Sequence, residues 1–322
     1  MNMSPRFADQ APRTVKEILK ELRDRWASMR EKRDRALSRK RLTQQDGKML
    51  RLLDGLDIAY PYFPASDGRS RSRYVRYLLK ALKKLHAHAD GMQFLHVTIF
   101  NARWDTSDEQ TELDLVAIAD LCANILDELS PDWLGAIELQ AWANRRHHSG
   151  GKILCPNGHF IVFGHDILAM AHTVVEQWNG KLVSGIPDIA PVKVDLIAAE
   201  FIDLARVARY PLKAIDRCKT FYLGAERSSI HESEKGDRFV RFFRIFQLLS
   251  LIDQRQLLLA SGDGKRIQNK ALARTRRWRR DHMQRFLASN DVVDFWREFM
   301  PRIRLPRFQM PEFCAHSLAA DT

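Results

Sequence analysis

Three extended apolar segments in the middle of the chain constrain its fold more than any other feature. The first, "QFLHVTIF" (93–100), alternates apolar and polar residues with period two, as a half-buried strand does. Two more, "WLGAIELQAWA" (133–143) and "CPNGHFIVFG" (155–164), are separated by the polar stretch 144–152, which is typical of a hairpin loop. Because strands joined by a short loop run antiparallel, these segments predict an antiparallel sheet.

Helical patterns surround the predicted sheet. Helices are predicted at about 107–129 and 166–180, an order that favours an α+β core with helices packed on one face of the sheet. Basic helical patterns precede this core at 14–56 and 69–89, and beyond 184–195 the chain is predicted to be helical to its end. We therefore predict an α+β core flanked by basic helical N- and C-terminal segments. The predicted boundaries are 1–90, 91–225 and 226–322.

The chain carries a surplus of positive charge. It has 52 Lys and Arg residues against 40 Asp and Glu, a formal net charge of +12, which favours a polyanionic partner such as nucleic acid or an anionic membrane surface. The most apolar stretch, 242–260, is interrupted by charged residues and cannot span a membrane. Since no apolar signal core opens the sequence, we expect a cytoplasmic protein without membrane contact. The four cysteines include no C-x-x-C pair, so the sequence does not indicate a zinc ribbon.

Two basic helical stretches are candidates for nucleic-acid contact. The stretch 69–89 has seven Lys and Arg residues and no acidic one, and 271–287 places a tryptophan inside a cationic run. Such runs contact phosphates while an aromatic ring stacks on a base, although a solvated helix face is the simpler alternative. The predicted contacts are Arg73, Arg76, Lys80, Lys83, Lys84, Arg276, Arg277, Trp278, Arg279 and Arg280, together with Arg206 and Arg217 from the segment 204–218.

A carboxylate, an amide and an imidazole fall on the two hairpin strands. Cross-strand neighbours on one face lie about 5 Å apart, so Glu138 or Gln140 is expected beside Asn157 and His159. Glu138, Asn157 and His159 together would suit Mg²⁺ or Mn²⁺, with positions left for phosphate oxygens. The alternative is that Glu138 is an exposed edge residue, that Asn157 belongs to a turn and that His159 only packs.

A tyrosine among cationic residues is the candidate nucleophile. On a helix Tyr210 and Lys213 share a face, with Arg206 and Arg217 on roughly the same side. Neighbouring cations favour ionisation of a tyrosine and hold the phosphate that it attacks. Pro211 is expected to kink or restart the helix. The alternative is an ordinary interfacial tyrosine beside a solvated basic face.

Taken in order, three short motifs resemble those of HUH endonucleases, the rolling-circle replication initiators and related relaxases. "FLHVTIF" is similar to that family's first motif, "CPNGHFIVFG" to its second and "RYPLK" to its third. The second motif of the family has two histidines flanking an apolar residue after a proline. Here the three positions are Asn157, Gly158 and His159, so an amide replaces one imidazole.

The resemblance implies a metal-dependent, site-specific DNA nickase and strand transferase. Glu138, Asn157 and His159 would hold Mg²⁺ or Mn²⁺, with His96 as a substitute ligand. Tyr210 would form a 5′-phosphotyrosine link and Lys213 would steady the charge. The implied partners are single-stranded DNA or origin hairpin DNA, with host replication proteins as further partners. Two other hypotheses stay open: a non-catalytic or degenerate nucleic-acid-binding protein of a mobile element, and an unrelated enzyme.

Overall fold

The chain has an α+β fold, as its sequence predicts. The structure is a computed structural model, and it describes residues 12–38, 59–60, 62–107, 112–143, 152–185, 189–212, 218–223, 228–233, 246, 248–285, 294 and 303–304. No helix in these ranges is both long and apolar enough to cross a membrane.

The elements of the central region follow the predicted order of strand, helix, hairpin and helix. Within the described ranges the helices are α1 (Val15–Ser38), α2 (Gly68–His86), α3 (Leu115–Asp127), α4 (Ile167–Asn179), α5 (Phe201–Ala208), α6 (Gln254–Leu257) and α7 (Gly262–His282). The strands of the main sheet are β2 (Gln93–Phe100), β3 (Thr106–Ser107), β5 (Trp133–Ala143), β6 (Lys152–Gly164), β7 (Val192–Leu196), β8 (Cys218–Leu223), β9 (Ser228–Ser233) and β10 (Leu258–Ser261). Short parallel pairs join β1 (Ala59–Tyr60) to β11 (Gln284–Arg285) and β4 (Leu113–Asp114) to β12 (Ile303–Arg304). Single 3-10 turns lie at Ala102–Trp104 and Tyr210–Leu212.

The main sheet is antiparallel at its centre and mixed at one side. Its strands lie in the order β7, β2, β6, β5, β8, β9, and β5 pairs in parallel only with β8. The prediction of a helical chain beyond residue 195 is wrong, because β8, β9 and β10 come from that region. The apolar stretch predicted as one core helix ends in β10, which pairs with the first residues of β5 and takes up their backbone hydrogen-bonding groups.

The register of the central strands determines which side chains share a face. Glu138 lies opposite Asn157 across the hairpin, and His159 lies opposite Thr98 of β2. Because directly paired residues project from the same face, these four side chains and His96 belong to one side of the sheet. We call this side the site face and the other side the back face.

Helices cover both faces of the sheet, whereas the sequence predicted helices on one face. On the site face, Tyr74 and Leu78 of α2 and Val207 of α5 line a small cavity together with Leu134 and Ile161 of the sheet. On the back face, the Sγ atom of Cys122 in α3 lies 3.2 Å from the position that a Cβ on Gly158 would occupy. Both faces need cover because both are apolar: Leu95, Val97 and Ile99 on the back face are fully buried.

Two local boundaries differ from the predictions for identifiable reasons. Helix α3 begins at Leu115 rather than near residue 107, because the side chain of Asp114 accepts the backbone N–H of Ala117 and caps the helix there. Strand β6 begins at Lys152 and continues through Pro156. On one side of β6, Asn157 pairs with β2 and Leu154 pairs with β3, and Pro156 lies between them. Pro156 is tolerated because no strand is paired there that would need its missing N–H.

The basic helices at both ends of the chain pack onto this core. Ile18, Leu22 and Trp26 of α1 are buried along one face of the helix, as their spacing predicts. Buried apolar residues from Ile18 to Ala271 form one continuous core. The three predicted segments therefore share a single hydrophobic interior in the described residues.

Candidate functional site

Two histidines, a glutamate and a tyrosine meet on the site face. The ring centroids of Tyr210 and His159 are 4.8 Å apart, and those of Tyr210 and His96 are 6.1 Å apart. The two imidazoles stack with centroids 5.5 Å apart. We use the name tyrosine–histidine cluster for these residues and their polar neighbours on the sheet: His96, Thr98, Glu138, Asn157, His159 and Tyr210.

His159 is the central member of the tyrosine–histidine cluster. Its Nε2 atom lies 3.1 Å from Oε2 of Glu138, within ion-pair distance, although the angle does not meet that of a hydrogen bond. Its Nδ1 atom lies 3.3 Å from both His96 Nε2 and Thr98 Oγ1. The His159 side chain is 6% exposed and that of Glu138 11%, so bulk water screens this pair weakly. Both ring nitrogens therefore face polar partners in a largely dry environment.

The carboxylate of Glu138 is supported by a chain of neutral donors. Gln140 donates to Glu138 Oε2 at 2.8 Å, and Trp142 donates its indole N–H to Gln140 Oε1 at 3.2 Å. All three residues project from the site face of β5, since they occupy alternate positions of one strand. This chain fixes the orientation of the carboxylate toward His159.

A buried cation faces the same carboxylate. Burial lowers the pKa of Arg71 to about 9, while the negative charges of Glu138 and Asp67 act in the opposite direction. A pKa near 9 leaves Arg71 charged at neutral pH, so it favours the ionised form of Glu138. Arg71 is held in place by a 2.7 Å hydrogen bond to the carbonyl of Ala65 and lies over the ring of Trp26 at 4.7 Å.

Tyr210 reaches the cluster because helix α5 ends immediately before it. Pro211 cannot supply the N–H that would continue the helix, and the chain turns through a 3-10 segment instead. The preceding Arg209 forms an ion pair with Glu21 of α1, which anchors this turn. Tyr210 thus lies on the same side of the sheet as His159 and is partly exposed.

Asn157 lies opposite Glu138 in the register and is fully buried. Neither its amide oxygen nor its amide nitrogen has a hydrogen-bond partner among the residues that the structure describes. A buried amide without partners is destabilising, by about 1–3 kcal/mol for an unsatisfied group. Its position in mid-strand rules out the alternative that Asn157 belongs to a turn.

The side chains at this position offer the types of ligand atom that a hard divalent ion binds. A carboxylate, an imidazole and an amide oxygen from Glu138, His159 and Asn157 lie at adjacent positions, and the amide is unsatisfied. Within the described part of the chain, no group of three or more His, Cys, Asp and Glu side chains is arranged to hold a metal. A metal site here would therefore depend on the amide of Asn157.

The space beside the cluster is small. The cavity that borders His159 has a volume of about 10 Å³, enough for roughly one water molecule. It is lined mainly by apolar side chains of α2, α5 and β5, including Tyr74, whose pKa is raised by burial. A larger ligand can therefore reach the cluster only through its partly exposed members, Tyr210, His96 and Glu138.

The predicted nucleic-acid contacts differ in exposure. Lys80, Lys83 and Lys84 are exposed on α2, whereas Arg73 and Arg76 on the same helix are partly buried. Trp278 on α7 is partly buried, with Arg73 over its ring at 4.9 Å and His282 stacked on it. The exposed cations of the predicted set on α7 are Arg276, Arg277 and Arg280.

Other predicted contacts are engaged within the protein or lie elsewhere. The prediction for Arg279 is wrong: it is fully buried and forms an ion pair with Asp67, because it follows Ala271 and Thr275 at helical spacing on the buried face of α7. Arg206 forms an ion pair with Asp203 at 2.5 Å and donates to the carbonyl of Pro12. Lys213 and Arg217 lie outside the described residues.

Arg71 is the residue of this site that sequence reasoning missed. Its position was identifiable, because Arg71, Val75, Leu78 and Leu82 follow one another at helical spacing and all are buried. An arginine within an apolar stripe indicates a buried counter-charge, and Glu138 is that counter-charge here.

The chain matches no known family model, and comparisons with curated proteins and with solved structures find no significant similarity. The function proposed below therefore depends on the geometry of the site.

Proposed function

We propose that the protein is a strand transferase that cleaves single-stranded DNA through a covalent link to Tyr210. The observation that carries this proposal is the 4.8 Å separation of the Tyr210 and His159 rings, with His159 in turn 3.1 Å from Glu138. A tyrosine nucleophile beside two imidazoles and a carboxylate has the groups that covalent catalysis needs. The net charge of +12 supports a polyanionic substrate.

The reaction follows from the arrangement of the tyrosine–histidine cluster. His96, the imidazole of the cluster that is not in the proposed ligand set, accepts the proton of the Tyr210 hydroxyl, and the phenolate oxygen attacks the scissile phosphorus. A tyrosine–phosphorus bond forms as the bond from phosphorus to the 3′ oxygen breaks. The proton then passes to the departing 3′ oxygen, so the products are a 5′-phosphotyrosine and a free 3′-hydroxyl. Attack by another 3′-hydroxyl reverses the step and joins two strands.

A divalent ion, Mg²⁺ or Mn²⁺, fits this proposal. Glu138, Asn157 and His159 would hold it, and it would supply Lewis-acid polarisation of the scissile phosphate. Gln140 and Arg71 then act on the ligand set indirectly, since one orients the Glu138 carboxylate and the other interacts with its charge.

Covalent capture of DNA tests the proposal. The purified protein is incubated with Mn²⁺ and a panel of hairpin and single-stranded oligonucleotides, and adducts are resolved on denaturing gels. We expect an adduct with the wild type and its loss, by about a hundredfold or more, in Tyr210→Phe, because the phenolate is the nucleophile. Tyr77→Phe is the matched control, since Tyr77 is also partly buried but lies outside the cluster.

Two outcomes would contradict the proposal. The first is the absence of any adduct across the panel while the protein remains folded by circular dichroism. The second is an adduct that persists in Tyr210→Phe, which would assign the nucleophile to another residue.

A second candidate function is binding of nucleic acid without chemistry. The burial of Glu138, Asn157 and His159 beside a cavity of about 10 Å³ favours it, because a buried pair of this kind also serves as a structural contact. Under this hypothesis Tyr210→Phe binds single-stranded DNA as the wild type does and neither protein forms an adduct. Filter binding beside the capture assay distinguishes the two functions.

A further inference from the structure

A second cavity, far larger than the one at His159, opens between α1, the first turns of α2, and α7. Its volume is about 370 Å³, within the range of small-molecule sites. Leu19 and Met29 of α1 and Phe246 provide apolar walls, and Trp26 and Trp278 provide aromatic ones. None of its lining residues belongs to the tyrosine–histidine cluster.

The lining of this cavity is strongly cationic. Five arginines contribute to it and no acidic residue does. None of the five forms an ion pair with a residue that the structure describes, although carboxylates pair with arginines elsewhere on both α1 and α7. Unneutralised guanidinium groups that converge on one cavity repel one another until an anion binds. The five residues are Arg23, Arg30, Arg69, Arg73 and Arg76.

The neutral polar groups of the lining are enclosed or already bonded, so the arginines are its main donors. Trp26 and Trp278 each have an indole N–H that is buried and has no partner among the described residues. The hydroxyl of Ser72 already donates to the carbonyl of Gly68 at 2.7 Å. A cavity that presents guanidinium groups, with no carboxylate, selects a ligand rich in acceptors.

Apolar, aromatic and cationic walls together define the ligand more closely. Arginine recognises phosphate through paired N–H groups, and its planar guanidinium also stacks on aromatic rings, as Arg73 does on Trp278. Bare phosphate would leave the apolar walls without contact. A phosphate joined to a planar ring with hydrogen-bond acceptors can contact the arginines through the phosphate and the aromatic and apolar side chains through the ring.

We propose that this cavity, which we call the arginine–tryptophan cavity, binds a nucleoside phosphate. The ligand is either a free mononucleotide or one nucleotide of a single strand, since both present the same phosphate, sugar and base. The arginines bind the phosphate, and the apolar and aromatic walls bind the base. This site is separate from Tyr210 and does not depend on its chemistry.

Calorimetric titration of the full chain tests this assignment. The probes are deoxyadenosine 5′-monophosphate, deoxyadenosine, deoxyribose 5-phosphate, inorganic phosphate and a short oligodeoxyadenylate. We expect the mononucleotide to bind about tenfold or more tightly than deoxyadenosine, deoxyribose 5-phosphate or inorganic phosphate, because each of these lacks part of the ligand. Tighter binding of the oligonucleotide than of the mononucleotide assigns the site to a strand, and the reverse assigns it to a free nucleotide.

Charge-matched variants locate the binding. Arg73→Gln with Arg76→Gln is expected to weaken mononucleotide binding about tenfold or more. Lys265→Gln with Lys270→Gln removes the same charge from exposed positions of α7 that do not line the cavity, and it is expected to leave the affinity within about twofold. Arg23→Gln, on α1, provides a second cavity variant should the double variant fail to fold.

The assignment is overturned if inorganic phosphate binds as tightly as the mononucleotide, or if the cavity and control variants weaken binding equally. Tyr210→Phe separates this proposal from the first. It is expected to abolish the covalent adduct and to leave mononucleotide affinity unchanged, so either proposal can fail alone.

Discussion

Asn157 is the residue whose role differs most from its appearance in the sequence. Followed by glycine and preceded by proline, it has the composition of a turn, yet it lies in the middle of β6 with no exposed surface. An amide that is buried without partners opposes folding, and the proposed metal would satisfy it. In that proposal a divalent ion is shared by Asn157, Glu138 and His159.

Replacing Asn157 by leucine, which has a similar shape, tests this role. We expect Asn157→Leu to raise the free energy of unfolding in metal-free urea titrations by about 1–2 kcal/mol, because the unsatisfied amide is removed. Mn²⁺ should then stabilise the variant much less than the wild type, whose unfolding free energy rises by about 2.7 kcal/mol at a hundredfold excess over the dissociation constant.

The matched control is Asn179→Leu. Both amide atoms of Asn179 are bonded to the backbone of Val192, at 3.1 and 2.7 Å. The same substitution there is expected to lower the free energy of unfolding by about 1–3 kcal/mol. Equal Mn²⁺ stabilisation of the wild type and Asn157→Leu would remove Asn157 from the ligand set.

Among the elements, α7 and α2 are held together by a buried ion pair. Arg279 binds Asp67 and Ser70 and the carbonyl of Tyr62, and it lies over the ring of Phe63 at 5.1 Å. Asp67 also caps α2 by accepting the N–H groups of Arg69 and Ser70. One carboxylate therefore caps helix α2 and fixes helix α7 against it.

Removing the cation from this pair should be strongly destabilising. Arg279→Met leaves Asp67 buried without its counter-charge, so we expect the free energy of unfolding to fall by about 3–5 kcal/mol. Arg280→Met, the adjacent exposed position, is expected to change it by no more than about 0.5 kcal/mol. Urea denaturation of both variants provides the comparison, and similar losses in the two would mean that the buried pair is not what joins these helices.

At the scale of the whole molecule, the positively charged side chains occupy two kinds of environment: buried beside carboxylates, or on the surface and in the arginine–tryptophan cavity. Arg71 and Arg279 are buried beside carboxylates and serve the fold. Within the described residues, Arg276, Arg277 and the arginines of the arginine–tryptophan cavity form no ion pair, and Arg280 pairs only with the exposed Asp281. This second group is therefore available to a polyanion.

The salt dependence of DNA binding measures that second group. The triple variant combines Arg276→Gln, Arg277→Gln and Arg280→Gln. We expect it to reduce the slope of the logarithm of the DNA-binding constant against the logarithm of the salt concentration by about 2, since each single-strand phosphate contact contributes about 0.7. A control that removes the same charge at exposed Lys16, Lys20 and Lys181 should leave the slope unchanged. Equal effects of the two triple variants would mean that α7 is not a specific contact surface.

Much of the central sheet and part of the site could be predicted. β2 and β5 have the predicted bounds, and the hairpin register brings Glu138 and Asn157 together as expected. The strands at the edge of the sheet could not be predicted, because β8, β9 and β10 are short and β10 is stabilised by its pairing with β5. The burial of Arg279 was missed because a dense cationic run obscures the helical spacing of its buried face.

The sequence alone determined the strands of the hairpin and the faces that their side chains share, because period-two alternation and a short loop are local properties. Only the tertiary structure decided that Tyr210 meets His159, that Arg71 faces Glu138 and that five arginines converge on one cavity. Each of these depends on how α1, α2 and α5 pack on the sheet. Such packing is set by contacts between residues distant in the chain, which no local pattern records.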